Sequence, residues 1–204
     1  MSLPINTRLA LAITIGALGA FTASSRDAQA QAQDSDTRTR KIISIGDYPR
    51  VDGLRINFRD RDLELVRGIN LTVWNPSRDL GSGVVKGLAL GVPMTGVGEL
   101  HGIGAGIFGV GANGDVTEIM AGGIGAGAGG DLRGISFGGI GVGAGGGVSG
   151  IALGGIGVGA GGDLRGIAVG GIGAGAGGNA RGLMIGGIRA AAGGSLRGIA
   201  VGGV

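Results

Sequence analysis

The sequence predicts an all-β chain, a repetitive β-solenoid built from 16-residue glycine-rich units. Three observations carry that expectation. Glycine supplies 53 of the 204 residues, and since each glycine costs a helix about 1 kcal/mol relative to alanine, helix is excluded at this density. Hydrophobic residues still make up 43%, whereas a flexible glycine-rich linker would be polar. A short phrase also returns at a fixed interval, the mark of a repeat architecture in which each unit buries its apolar face only against its neighbours.

The chain opens with a segment read as a signal peptide, residues 1–30. Arg8 gives a positive flank, an apolar run extends from Leu9 to Phe21, and Ala28-Gln29-Ala30 offers a small-residue cleavage site. That run is shorter than the roughly 20 residues needed to span a bilayer. Residues 31–41 are polar and read as a flexible leader. Cleavage after Ala30 leaves 15 basic against 13 acidic residues. Without clustered basic and aromatic residues, such a balance excludes a nucleic-acid footprint.

Residues 42–86 read as an N-terminal β cap with degenerate repeats. They hold Tyr48, Phe58, Trp74 and the charged stretch Arg59-Asp60-Arg61-Asp62. Terminal repeats need such a polar surface against edge pairing. Residues 87–204 are the glycine-rich β-repeat domain. The recurring phrase is Gly, then Ile or Leu, any residue, then an apolar one. It begins at Gly53, Gly68, Gly87, Gly102, Gly134, Gly150, Gly166, Gly182 and Gly198, with Glu118 filling the missing slot. From Gly102 onward successive copies are 16 residues apart.

Within one unit Ile135 and Phe137 share a parity, and Ile140, Val142 and Ala144 share the opposite one. A strand whose apolar residues change parity turns a corner there, and glycine pairs at Gly138-Gly139 and Gly145-Gly146 are expected to supply the positive φ angles of such corners. The unit is therefore two short strands and two corners. Leu132, Ile135, Phe137, Ile140, Val142 and Ala144 are expected to form one apolar lining, with Gly134, Gly141 and Gly143 on the other face. Alternation alone leaves open which face is inward. The alternative architecture is a repeated β-hairpin meander or shallow barrel. A membrane-spanning barrel needs strands of about 9–11 residues, longer than these.

Little chemistry is visible. Cysteine is absent and His101 is the single histidine, which excludes thiolate chemistry and histidine clusters within one chain. No nucleophile, base and orienting group are grouped, so no catalytic or cofactor-binding residue is assigned and the chain is read as non-enzymatic. Strings fitting GxGxxG follow from glycine density and lack the helix and acidic residue of a dinucleotide site. One corner position runs Asp115, Asp131, Gly147, Asp163, Asn179 and Ser195. Its aspartates, Asp115, Asp131 and Asp163, are weak metal candidates that match a calcium-binding β-roll turn poorly. Two residues on stand Arg133, Arg165, Arg181 and Arg197, expected to form a surface ladder paired with the aspartates and able to meet lipid phosphates.

The stretches Gly-Ile-Ala-Leu-Gly at 150–154 and Gly-Leu-Ala-Leu-Gly at 87–91 resemble the short repeats of bacterial glycine-rich surface-repeat proteins. That resemblance implies an exported, envelope-associated protein. The functional expectation is an exported structural or interaction protein of the cell envelope or surface, in the periplasm, at the outer-membrane surface or outside the cell. The alternative is a membrane-associated β-repeat protein with an apolar lipid-facing surface. Expected partners are a second copy joined through the C-terminal strand edge, a membrane, or an envelope polymer; no cofactor is expected.

Overall fold

The computed structural model describes residues 42–59, 63–74 and 83–203. The signal-peptide and leader readings, and Asp60-Arg61-Asp62 of the charged stretch, lie outside the described residues.

The described chain is built of strands. It opens with β1 (Ile43–Ile45), β2 (Arg50–Asn57), β3 (Leu65–Thr72) and β4 (Val84–Gly91). Short and long strands then alternate: β5 (Met94–Val97), β6 (Glu99–Gly106), β7 (Gly109–Ala112), β8 (Val116–Gly122), β9 (Gly125–Ala128), β10 (Leu132–Gly138), β11 (Gly141–Ala144), β12 (Val148–Gly154), β13 (Gly157–Ala160), β14 (Leu164–Gly170), β15 (Gly173–Ala176), β16 (Ala180–Gly186), β17 (Arg189–Ala192) and β18 (Leu196–Gly202). The long strands and β1 form an 11-stranded sheet, and the short strands a 7-stranded one. Every pairing among them is parallel. Gly134 pairs with Gly150, Gly150 with Gly166, and Gly166 with Gly182, so one repeat is one coil. The protein is a β-solenoid; hairpins would have made the pairings antiparallel. With strands about 4.8 Å apart, the long sheet runs for roughly 50 Å.

The phrase that defines the repeat has a backbone cause. Its glycine carries a positive φ in each copy, +121° at Gly134, whereas the corner pairs Gly138-Gly139 and Gly145-Gly146, expected to do so, do not. A Cβ built there would land on the carbonyl oxygen of Glu118, one coil earlier. Glu118 itself holds φ +99°, the one non-glycine residue with a positive φ among those described.

The core lies between the two sheets, and it differs from the expected lining. Leu132, Val142 and Ala144 are buried, but Ile135, Phe137 and Ile140 are 47%, 51% and 50% exposed. Ser136 and Gly138 face inward in their place. The expected change of phase at Gly138-Gly139 does not occur. The corner takes two residues, 139–140, so even-numbered positions point inward on both strands of this coil, and a 16-residue period preserves that parity from coil to coil.

Space decides the arrangement. At the end of β10 the walls converge so closely that a Cβ on Gly138 would strike the carbonyl oxygen of Gly141. The inner columns accordingly use one medium residue (Leu132, Val148, Leu164), one smaller or slender one (Ser136, Ala152, Ala168, Met184) and glycine. Only glycine fits at position 138, and isoleucine is absent from the described inner columns and stands outward. In the earliest coils the same inner columns carry Arg55, Asn57, Asn70 and Thr72, all buried. Arg55 Nη1 donates to Asn70 Oδ1 at 3.0 Å across the β2–β3 pair. At that end Phe58 and Trp74 stack with centroids 6.0 Å apart.

Candidate interaction surface

The outer face of the long sheet is built by residues that alternate with the core. In β10 these are Arg133, Ile135 and Phe137. Register turns each into a column along the stack. The Ile135 column includes Ile103, Ile119, Ile151, Ile167, Leu183 and Ile199. The Phe137 column includes Leu90, Ala105, Ala121, Leu153, Val169, Ile185 and Val201. A third aliphatic row stands on the following corner, Ile124, Ile140, Ile156, Ile172 and Ile188, each about half exposed. Successive members are tied by backbone hydrogen bonds, Ile140 N to Ile124 O at 2.6 Å and Ile156 N to Ile140 O at 2.6 Å.

Where the second column shrinks to Ala105 and Ala121, a shallow apolar groove of about 490 Å³ opens between Leu90 and Phe137, walled by Ile107. The outer face of the short sheet is different. Gly141, Gly143, Gly157 and Gly159 leave its middle without side chains, and Arg189 and Ala191 stand in the same columns on β17.

The first outer column is charged and polar: Lys86, His101, Thr117, Arg133, Ser149, Arg165, Arg181 and Arg197. The structure brings the expected ladder together on the same face as the aliphatic columns. Its pairing is uneven. Arg133 Nη2 lies 2.7 Å from Asp131 Oδ2, with Nη1 3.8 Å from Asp115 Oδ2, and Arg165 lies 3.5 Å from Asp163. His101 Nε2 lies 3.5 Å from Glu99. Arg181 and Arg197 form no ion pair among the described residues, because Asn179 and Ser195 stand where earlier coils have aspartate.

The three aspartates put forward as metal candidates have another occupation. Asp115 Oδ1 accepts the backbone N–H of Asp131 at 2.8 Å, Asp131 Oδ1 that of Gly147 at 2.8 Å, and Asp163 Oδ1 that of Asn179 at 2.8 Å. Asn179 Oδ1 continues the series to Ser195 N at 2.9 Å. Each side chain thus stitches its coil to the next. The second glycine of the corner makes room, since a Cβ on Gly146 would land on Asp131 Oδ1.

The N–H of Gly147 is the main reason the Asp131 carboxyl titrates below its ordinary value; the Arg133 charge adds to it, and partial desolvation opposes both. Asp163 is lowered in the same way, first by the N–H of Asn179, with Arg165 contributing. One Asp131 oxygen thus accepts a backbone N–H and the other faces Arg133. Among the described residues no three His, Cys, Asp or Glu side chains group as metal ligands, and no helix is long and apolar enough to cross a membrane.

Sequence reasoning found the arginine ladder, but it placed Ile135, Phe137 and Ile140 in the lining and carried an outward aliphatic face only as the alternative; the structure turns them outward. The signal that could have exposed it was the alternation of Ser136, Ala152 and Ala168 with the isoleucines. Small residues at every second position mark the wall of a thin core. The chain matches no protein-family model, no curated protein and no solved structure.

Proposed function

We propose that the protein is an exported, non-enzymatic interaction protein of the cell envelope or exterior, acting through the outer face of its long sheet. One observation carries this reading: two apolar columns point outward along that sheet and a third aliphatic row lines its adjoining corner. Parallel sheets are ordinarily covered on both faces, and monomers seldom expose contiguous apolar patches beyond a few hundred Å². At roughly 50 Å by 15 Å this face is larger than that. The apolar run from Leu9 to Phe21 and the Ala28-Gln29-Ala30 site support export. The absence of cysteine and the single histidine support a non-catalytic role.

The test uses cells producing the full chain and a triple variant, Ile135→Ser, Ile167→Ser and Ile199→Ser. All three side chains are exposed, so the variant is expected to fold with unchanged circular dichroism. The wild-type protein is expected in the envelope fraction and the variant in the soluble fraction. Identical distribution of the two proteins overturns the reading.

A further inference from the structure

We infer that the occupant of this face is the surface of an anionic lipid bilayer, with the isoleucine rows entering the acyl boundary and the arginine column meeting the phosphates. The inference rests on the preceding reading of the face as the working surface and names its partner. Charge selects that partner. The long strands from Leu164 onward carry Arg165, Arg181 and Arg197 on this face and no acidic residue. Arg165, Arg181 and Arg197 stand in one column, and the last two have no counter-ion among the described residues. This column is parallel to the Ile167, Leu183 and Ile199 column and about 7 Å from it, the span of two residues along a strand. An amphipathic surface with cations along one margin of an apolar strip is the arrangement that lies in a membrane interface, apolar side about 5–10 Å deep. Rotated about its long axis so that the Ile140–Ile188 corner dips, the solenoid keeps its guanidinium groups at headgroup level, on the far margin of the strip.

A second copy fits this face less well. Isologous contacts have two-fold symmetry. A two-fold axis across the stack sets the Arg165–Arg197 stretch against the Asp52–Arg67–Lys86 stretch of the other copy, where the single carboxylate, Asp52, already faces Arg67. An axis along the stack lays the arginines over the corner isoleucines and buries them unpaired. An anionic bilayer supplies counter-charge to Arg181 and Arg197, the part of the margin without carboxylate partners among the described residues.

The experiment is sedimentation of the full-length protein with two kinds of vesicle, phosphatidylcholine alone and phosphatidylcholine with about 30 mol% phosphatidylglycerol. The proteins compared are wild type, the isoleucine triple variant above, and Arg165→Gln/Arg181→Gln/Arg197→Gln. Wild type is expected to bind the anionic vesicles and to release them as salt rises from about 0.1 M to 1 M, where screening shortens from about 10 Å to 3 Å. The arginine variant is expected to bind roughly a hundredfold more weakly, each arginine contributing a factor of about five. The isoleucine variant is expected to lose binding as well.

Equal binding to both vesicles, or an arginine variant that binds like wild type, overturns the assignment. Absence of vesicle binding, with dimers that the isoleucine substitutions abolish, assigns the face to a second copy. Absence of vesicle binding with envelope retention that those substitutions still abolish removes lipid and leaves the working surface in place.

Discussion

Glycine does two unrelated jobs in this chain, and Gly134 and Gly143 separate them. Gly134 sits at φ +121° with the carbonyl oxygen of Glu118 where its Cβ would be. Gly143 faces outward, and a Cβ there would meet nothing within 4 Å. Alanine at position 134 is therefore expected to cost more than about 2 kcal/mol, while alanine at 143 raises stability by about 0.5 kcal/mol by restricting the unfolded chain. Glu118 runs the comparison in reverse. It occupies the column at φ +99° with a full side chain, a strain of about 1–3 kcal/mol, against which glycine loses about 1 kcal/mol in backbone entropy. Glu118→Gly is expected to stabilise by about 1 kcal/mol, a rise of about 3 °C in the thermal midpoint of a chain this size. A midpoint unchanged or lowered would show that the column does not set the strain.

Strands and corners carry different parts of the stability. In β14, Leu164 points into the core and is 1% exposed, while Ile167 points outward and is 38% exposed. Leu164→Ala is expected to cost about 3 kcal/mol and Ile167→Ala under about 1 kcal/mol in denaturant unfolding; a reversed order would mean that the faces are exchanged. At the corner, the Asp131 and Asp163 carboxyls titrate below the ordinary 3.8 in the folded state. A depressed folded value stabilises fully above the unfolded value and is lost as pH falls through the folded one. Stability is thus expected to hold from neutral pH to about 4 and to fall below it. Asp131→Asn keeps the acceptor for Gly147 N–H, as Asn179 does for Ser195, and is expected to flatten that fall in unfolding measured across pH. A fall as steep as that of the wild type would place the acid sensitivity elsewhere. The 16-residue coil and the glycine column were legible in the sequence because the phrase recurs at a fixed interval; the backbone role of that glycine was not, since the corner pairs were expected to take the positive φ. The inward face was not, because hydrophobicity argued for burying Ile135 and Phe137, and what excludes them is the distance between two walls. The corner aspartates read as a solvated salt-bridged edge because pairing with Arg133, two residues away, is visible in one dimension. A bond from Asp131 to the backbone of Gly147 joins neighbouring coils and becomes visible only after the coil is closed.

The described coils form a one-dimensional stack, so their tolerance to change depends on register more than on length. Each coil touches only the coils before and after it, and stability is close to a sum of coil and interface contributions. Sixteen is even, so removing one full coil leaves every remaining side chain on its face. Deletion of residues 132–147 is the most favourable case. It joins Asp131 to Val148, pairs β8 directly with β12, and removes the corner where Gly147 offers no side chain to the N–H of Asp163. In the shortened chain Asp131 Oδ1 is in register to accept that N–H, as it accepts Gly147 N–H now. The deletion is expected to leave the circular dichroism per residue unchanged and the thermal midpoint within a few degrees. Deleting Ser136 alone removes one residue in place of sixteen, yet it moves Phe137 into the inner column, where the core accepts serine, alanine or methionine. That change is expected to cost about 1–3 kcal/mol by overpacking, and more if Gly138 no longer meets the Gly141 wall. If the single deletion were tolerated better than the whole coil, local adjustment at the corners rather than parity would govern the stack. The 15-residue interval from Gly87 to Gly102 shows where such adjustment is available, since Gly98-Glu99 does there the work of Gly129-Gly130-Asp131. A corner can lose a residue because its side chains face solvent on the outside of the bend. A strand cannot, because every residue beyond the loss changes sides.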